Sequence, residues 1–255
     1  MAVKITVSRI EYSYDRLPKA FDGFRILHVS DLHNHIFGVN QCAIIKQTAD
    51  VKPDMIAVTG DLIDKRRTDI DAAMVYLSGA AQVAPIYFVA GNHEKQFGKY
   101  EELSRMMSDC GVVVLDDRRV NIEKDNARIA VIGMRDQAFS SDEEYARTLK
   151  MLSGGENSSF KILLTHKPRI HTYSMFDIDL VLCGHAHGGQ FRIPGIGGLY
   201  SPEQGIFPKY TSGLHTQNGT AMIISRGLGN SIFPIRLFNG PELIVVTLKT
   251  ENAGA

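Results

Sequence analysis

Net charge is the first thing missing: 28 Lys and Arg offset 28 Asp and Glu across 255 residues, for a formal net charge of +0. That balance argues against a polynucleotide partner, whose grooves pair positive charge with stacking aromatics; no such groove is evident, so no nucleic acid is expected. Cysteine is scarce. Cys42, Cys110 and Cys183 are an odd number without CxxC spacing, which speaks against a disulfide scaffold and for a reducing compartment. No stretch approaches the ~18 uninterrupted apolar residues of a membrane-spanning helix. The opening Met1-Ala2-Val3-Lys4-Ile5-Thr6 lacks the basic region, apolar core and cleavage site of a signal peptide. The expectation is a cytoplasmic protein, with peripheral membrane contact left open and a trimmed N-terminal export or anchor segment equally compatible. Internal repeats, low-complexity tracts and linkers are also missing, so residues 1–255 are read as one domain.

What is present is a hydrophobic content of 44%, enough for a sizeable core. Residues 3–10 alternate like a strand, and 12–23 read as a connector. Three strands at 24–29, 54–59 and 85–90 each run into a polar motif, followed by expected helices at 40–51, 69–82 (Thr68 as N-cap) and 99–109. Such alternation implies a mostly parallel sheet with covering helices, where ligands gather beyond the carboxyl ends of the strands. The middle turns to short strands at 112–115, 119–123 and 128–133, joined by tight polar turns as in antiparallel hairpins. A helix over 141–152 precedes a strand at 160–164 and another at 179–182. Strands at 221–224 and 243–248 close the chain.

The organising stretch is Cys183-Gly184-His185-Ala186-His187-Gly188-Gly189-Gln190. Two imidazoles two residues apart can aim at neighbouring points, and imidazole is the commonest side-chain metal ligand at neutral pH. The flanking glycines let the backbone turn with no Cβ in the way. Alone, a His-x-His loop is a weak signal. Here five strand ends carry Asp31/His33, Asp61, Asn92/His93, His166 and His185/His187. Strand ends along one sheet lie close together, so these groups can converge. Carboxylates, an amide oxygen and imidazoles suit divalent ions of the Mn, Fe, Zn or Co type. The donors suffice for two ions, and a pair ~3.5–4 Å apart with a bridging carboxylate recurs in phosphoester hydrolysis.

Asp31-Leu32-His33, Gly60-Asp61, Gly91-Asn92-His93-Glu94, His166 and Gly184-His185-Ala186-His187 resemble, in order and spacing, the motifs of the calcineurin-like metallophosphoesterases. The resemblance covers residues 24–190. Gly188-Gly189-Gln190 and the region after Ser201-Pro202 look like the bacterial YkuE/YaeI-like branch. The resemblance implies an α/β fold, a four-layer α-β-β-α sandwich of two mixed sheets packed face to face, with a dinuclear metal site at strand C-terminal ends. It implies that Asp31, His33 and His187 hold one divalent ion and Asn92, His166 and His185 the other, with Asp61 bridging; the metals would be Mn, Fe, Zn or Ni. By the same resemblance His93 is catalytic and faces the leaving-group oxygen, and Asp64 steadies it. A solvated loop acid is the alternative for Asp64.

The implied activity is phosphate-ester hydrolysis by in-line attack of a metal-bound hydroxide. Small-molecule phosphodiesters or lipid-linked phosphates are favoured as substrates, because the arginines that protein phosphatases place near these motifs are replaced by Asp64-Lys65-Arg66 and Ala90. A non-catalytic scaffold of the same fold and a nuclease are the alternatives; the filled ligand positions and the neutral charge weigh against them. Residues 194–213, rich in Gly and Pro, read as a substrate-side flap. Asn34 and His35 read as solvated loop, His28 as a satisfied core histidine, and Arg135 and Asp136 as residues within reach of the site. The oligomeric state is not written in the sequence.

Overall fold

Residues 4–67, 69–155, 160–230 and 236–251 are described by a computed structural model. The first part supplies β1 (Thr6–Tyr14), β2 (Arg25–Val29), α1 (Cys42–Asp50), β3 (Met55–Val58), α2 (Asp71–Ala80), β4 (Ile86–Phe88), α3 (Asn92–Phe97), α4 (Tyr100–Asp109) and β5 (Val112–Val114). The middle adds β6 (Arg118–Lys124), β7 (Ala127–Gly133), α5 (Asp142–Ser153), β8 (Phe160–Leu164), α6 (Ile170–Tyr173) and β9 (Leu180–Cys183). Two short hairpins follow, β10 (Arg192–Ile193) with β11 (Gly197–Gly198) and β12 (Tyr200–Ser201) with β13 (Gly205–Ile206). The chain ends on β14 (Gly213–Gln217), β15 (Thr220–Ile224) and β16 (Glu242–Thr250).

Two six-stranded mixed sheets result, in the orders β1-β16-β2-β3-β4-β5 and β14-β15-β9-β8-β7-β6. Their central strands are buried on both faces, which is why they read as unbroken apolar runs. In β3, Met55 and Ala57 enter the layer between the sheets while Ile56 and Val58 face α1 and α2. In β8, Ile162 and Leu164 enter the same middle layer, and Leu163 packs with Tyr145 and Leu149 of α5. The layers therefore run helix, sheet, sheet, helix.

Several expectations need adjustment. β1 runs on to Tyr14, through part of the expected connector, because Tyr14 packs edge-on against Phe160 at 4.6 Å in the middle layer. β5 and β6 do not form a hairpin: β5 pairs in parallel with β4, whereas β6 pairs with β7 in the other sheet, so the turn at Asp116-Asp117 carries the chain between sheets. The Asn92-His93-Glu94 motif that ends the third strand opens a short helix, α3, which was not among the expected helices. Thr68 lies outside the described residues; the residue preceding α2 is Ile70. The expected 194–213 passage contains β11 and the β12–β13 hairpin, and β10 directly precedes it. Among the described residues, no helix is long and apolar enough to cross a membrane.

Candidate metal centre

The five motif-bearing strand ends come from two sheets, not one. β2, β3 and β4 are parallel neighbours in the first sheet, and β8 and β9 are parallel neighbours in the second. Face-to-face packing brings their carboxyl ends to one edge. Asp31 N donates to Gly60 O at 3.0 Å and His33 N to Asp61 O at 3.0 Å, tying the loops after β2 and β3 together. Asp31, His33, Asp61, His185 and His187 all adopt positive φ, between 46° and 67°. Such a conformation costs a non-glycine residue on the order of 1–3 kcal/mol and persists only where the surroundings impose it.

Two groups of side chains converge. Asp31, His33 and His187 form the first: His187 Nε2 lies 3.4 Å and His33 Nε2 3.8 Å from Asp31 Oδ1, and the two ring nitrogens are 3.2 Å apart. Asp61, His166 and His185 form the second: His166 Nε2 is 3.2 Å from Asp61 Oδ2 and 3.1 Å from His185 Nδ1. Asp61 Oδ2 also lies 3.7 Å from His33 Nε2, so this oxygen stands between the groups. Asn92 Oδ1 is buried with no protein partner, and Asn92 lines the same cavity as Asp61, His185 and His187. The residues fit divalent ions on these grounds: carboxylate, amide and imidazole lone pairs face one another at distances that hydrogen bonds cannot all satisfy.

The neighbours hold these atoms in place. His166 Nδ1 donates to Thr59 O at 2.7 Å, which leaves Nε2 facing Asp61. His93 N donates to Asp61 Oδ1 at 2.8 Å, and His185 N reaches Asp31 Oδ2 at 3.1 Å. Glu94, quoted in the motif but given no role by sequence reasoning, is the hub. Its carboxylate accepts from Asp61 N, Leu62 N and Gly91 N, each at 2.8 Å. A carboxylate at the third position of α3 was the signal available, because a helix start leaves backbone N–H groups to be satisfied.

Burial sets the charges. It holds the His33 ring down at about 3 and, with the adjacent His33, keeps His187 well below the ordinary value. Burial likewise takes His185 down to about 3, helped by His166. Asp31 is pushed up to about 6 by burial. His166 goes the other way: burial opposes its charge, but Asp61 outweighs it and raises the ring to about 10. For Asp61, burial is overcome by His166, and its carboxyl stays well below the usual range.

His93 stands at the edge of this arrangement, with Nε2 4.0 Å from Asp61 Oδ2. Its Nδ1 accepts from Lys65 N at 3.2 Å. Asp64 Oδ1 lies 3.6 Å from the same nitrogen, beyond hydrogen-bond reach. Asp64 is nonetheless no solvated acid. It is 1% exposed and held by Arg66, whose Nε and Nη2 approach its two oxygens at 2.9 and 2.6 Å.

A cavity of about 190 Å³ opens over Asp61, Asn92 and His93, and Lys65, Arg66, Gln190, Tyr200 and Pro202 complete its wall. Tyr200 and Pro202 belong to the expected flap, whereas Lys65, Arg66 and Gln190 were not anticipated as wall residues. Arg236, also unanticipated, places Nη2 3.4 Å from His187 Nδ1. Asn34 is buried rather than solvated. His28 is buried with Nε2 2.9 Å from Thr59 Oγ1, although its Nδ1 has no partner. Arg135 turns away from the cavity to pair with Asp117 at 2.6 Å. His171 and His215 pack against Tyr210.

Comparison with known proteins identifies the family. The family model described as calcineurin-like phosphoesterase matches residues 24–189. The chain is 31% identical over 242 residues to the metallophosphoesterase YkuE of Bacillus subtilis, covering 92% of this chain and 82% of that protein. It is 28% identical over 232 residues to the phosphodiesterase YaeI of Escherichia coli, covering 88% and 82%. Among solved structures, the phosphopantetheinyl hydrolase of Mycobacterium tuberculosis superposes with a TM-score of 0.50 at 14% identity, over 80% of this chain and 89% of that one, a likeness of fold. The chain thus belongs to the calcineurin-like phosphoesterases, metal-dependent hydrolases of phosphate esters.

Proposed function

We propose that the protein is a dinuclear metal-dependent phosphodiesterase. Asp31, His33 and His187 would hold one divalent ion, Asn92, His166 and His185 the other, and Asp61 both. The observation that carries this reading is the position of Asp61 Oδ2 between the two donor groups, within 3.2 Å of His166 and 3.7 Å of His33. When bound, two ions at such a site supply hydroxide near neutral pH and positive charge for phosphate oxygens.

The chain's own residues do the rest. Because Lys65 N donates to His93 Nδ1, the neutral ring carries its proton on Nε2. His93 lines the cavity, and its Nε2–H is placed to hydrogen-bond the departing oxygen and stabilise the charge it gains. Asp64 acts through His93: its carboxylate, 3.6 Å from Nδ1, is held beside the ring by Arg66 and helps to position it. Lys65 and Arg66 add positive charge to the cavity wall. Phosphodiesters, small or lipid-linked, are the favoured substrates, a preference supported by the naming of the E. coli relative as a phosphodiesterase. We read residues 1–255 as one domain, because the first sheet takes strands from both ends of the chain.

The test is hydrolysis of bis-p-nitrophenyl phosphate against p-nitrophenyl phosphate by metal-stripped protein reloaded with Mn, Zn, Fe or Ni. Diester turnover should require metal. His93→Ala should lower it roughly 10²- to 10⁴-fold with both ions retained, and Asn92→Ala should lower metal content as well. A protein that takes up fewer than two ions under every loading condition sinks the proposal.

A further inference from the structure

Gln190 stands three residues after His187, in a backbone conformation that few side-chain-bearing residues adopt. Its φ is 60° and its ψ −70°, close to the γ-turn form that is rare and strained. Strain of this kind collects at ligand clamps and persists only where the surroundings impose it. Here the surroundings can be named. Gln190 N donates to His187 O at 3.1 Å, and the Asn239 amide donates to both His187 O and Gln190 O, at 2.7 and 3.0 Å. Gly189 lies against the flap: a Cβ there would come within 2.4 Å of Gly198 Cα, and Leu199 N donates to Gly189 O at 3.1 Å. The segment is held between Asn239 and the flap.

What this arrangement fixes is a side chain. Gln190 is 4% exposed and both of its backbone polar groups are bonded. Its side-chain amide has no hydrogen-bond partner among the described residues. A buried amide left unpaired is unfavourable and calls for an explanation. Neither amide atom is sealed from solvent, and the space beside Gln190 is the cavity it walls together with Asp61, Asn92 and His93. At about 190 Å³ the cavity is small, so a phosphoryl group seated over Asp61 and Asn92 lies within reach of its walls. Of the long polar side chains there, Lys65 bonds Gln96 and Arg66 bonds Asp64, which leaves the Gln190 amide uncommitted.

We propose that Gln190 is a substrate-binding residue whose side-chain amide donates to a phosphoryl oxygen of the bound ester. The phosphodiesterase reading supplies the substrate, and the proposal rests on it while adding a source of selectivity. An uncharged donor satisfies an oxygen without adding positive charge. It suits the singly charged phosphoryl group of a diester, whereas the doubly charged group of a monoester gains more from a guanidinium or ammonium.

The experiment compares wild type with Gln190→Ala, Gln190→Gly and Gln190→Lys, each metal-loaded and checked for two bound ions. Losing one hydrogen bond to a charged oxygen should raise KM for bis-p-nitrophenyl phosphate roughly tenfold in both truncations. The kcat should change little, as for a contact made alike in the ground and transition states. Glycine accepts a φ of 60°, so Gln190→Gly removes the amide without adding strain. Gln190→Lys should move the ratio of kcat/KM values towards p-nitrophenyl phosphate by about tenfold. Calorimetric titration with inorganic phosphate needs no turnover, and both truncations should bind it about tenfold more weakly than wild type. Unchanged KM and unchanged phosphate affinity in the truncations overturn the proposal. Loss of a bound ion in both also overturns it, because Gln190 would then serve the metal centre and not the substrate. A wild type that binds two ions and phosphate but turns over neither ester counts against the phosphodiesterase reading; the Gln190 contact is then decided by phosphate affinity alone.

Discussion

At Asp61 the two carboxylate oxygens are used differently: Oδ1 accepts the His93 amide, and Oδ2 faces His166 and His33. The arrangement depends on Gly91, where a Cβ would meet Asp61 Oδ1 at 2.3 Å and Asp61 N at 2.7 Å. Gly91→Ala should therefore displace Asp61 and reduce bound metal and diester turnover together, as metal analysis beside the rate assay would report. Glu94→Gln tests the hub. An amide offers one acceptor oxygen where the carboxylate offered two, so at least one buried N–H among Asp61, Leu62 and Gly91 loses its partner. The expected cost is about 1–3 kcal/mol per lost partner, read as a lower denaturant midpoint.

The pH dependence follows from His166. In metal-stripped protein its ring is raised by Asp61 to about 10, so at neutral pH it carries a proton that an ion must displace. Metal affinity should rise with pH up to about 10, by about tenfold per unit for one proton, and more steeply below about 6, where Asp31 also protonates. Calorimetric titration in buffers of different ionisation enthalpy would register the released proton. Without metal the sign reverses for stability. A raised pKa stabilises the fold fully below the unfolded value near 6.5, and that contribution fades as pH climbs through about 10.

Among elements, the flap hairpin β12–β13 is latched to the loop after β8 through Glu203, which pairs with Lys167 and Arg169. Because Tyr200 and Pro202 of the same segment wall the cavity, Glu203→Gln should loosen the flap and raise KM for the diester by a few-fold, since exposed ion pairs are worth about 0.2–1 kcal/mol. Steady-state kinetics on a diester would reveal this; an unchanged KM would leave the latch without a role. The elements that carry the motifs were legible because β2, β3, β8 and β9 are short apolar runs ending in polar residues, a pattern that burial on both faces dictates. β14 was not legible. It is an edge strand reading Gly-Leu-His-Thr-Gln, half exposed, with no hydrophobic run to betray it. The split between β5 and β6 was hidden because Asp116-Asp117 reads as a hairpin turn. What separates the strands is tertiary: Asp116 Oδ1 accepts Ala90 N and Asp117 pairs with Arg135. The side chains brought to the metal centre were legible from their strand ends. Lys65 and Arg66 were not recognised as wall residues, since long side chains reach the cavity in ways that spacing along the chain does not encode.

For the molecule as a whole, the layer between the sheets is the common ground of both donor groups. Ile162 is fully buried there, and Ile162→Ala should cost about 2–5 kcal/mol. Measured by chemical denaturation, the loss should appear equally with and without metal, because the residue touches the scaffold and not the ligands. The first sheet depends on pairings distant in sequence, since β16 lies between β1 and β2, pairing Thr6 with Glu242 and Ile244 with His28. Pairings so distant in sequence slow folding.

The same pairing gives the molecule a front and a back. β16 runs antiparallel to β2, whose carboxyl end leads to Asp31, and β1 runs parallel to β16. Thr6 therefore lies on the metal-centre side, and Thr250, beside Tyr14, on the opposite one. Immobilised through its C-terminus, the protein would present the candidate metal centre and the hairpins outward, free to meet a substrate. Anchored through its N-terminus, it would turn both towards the support.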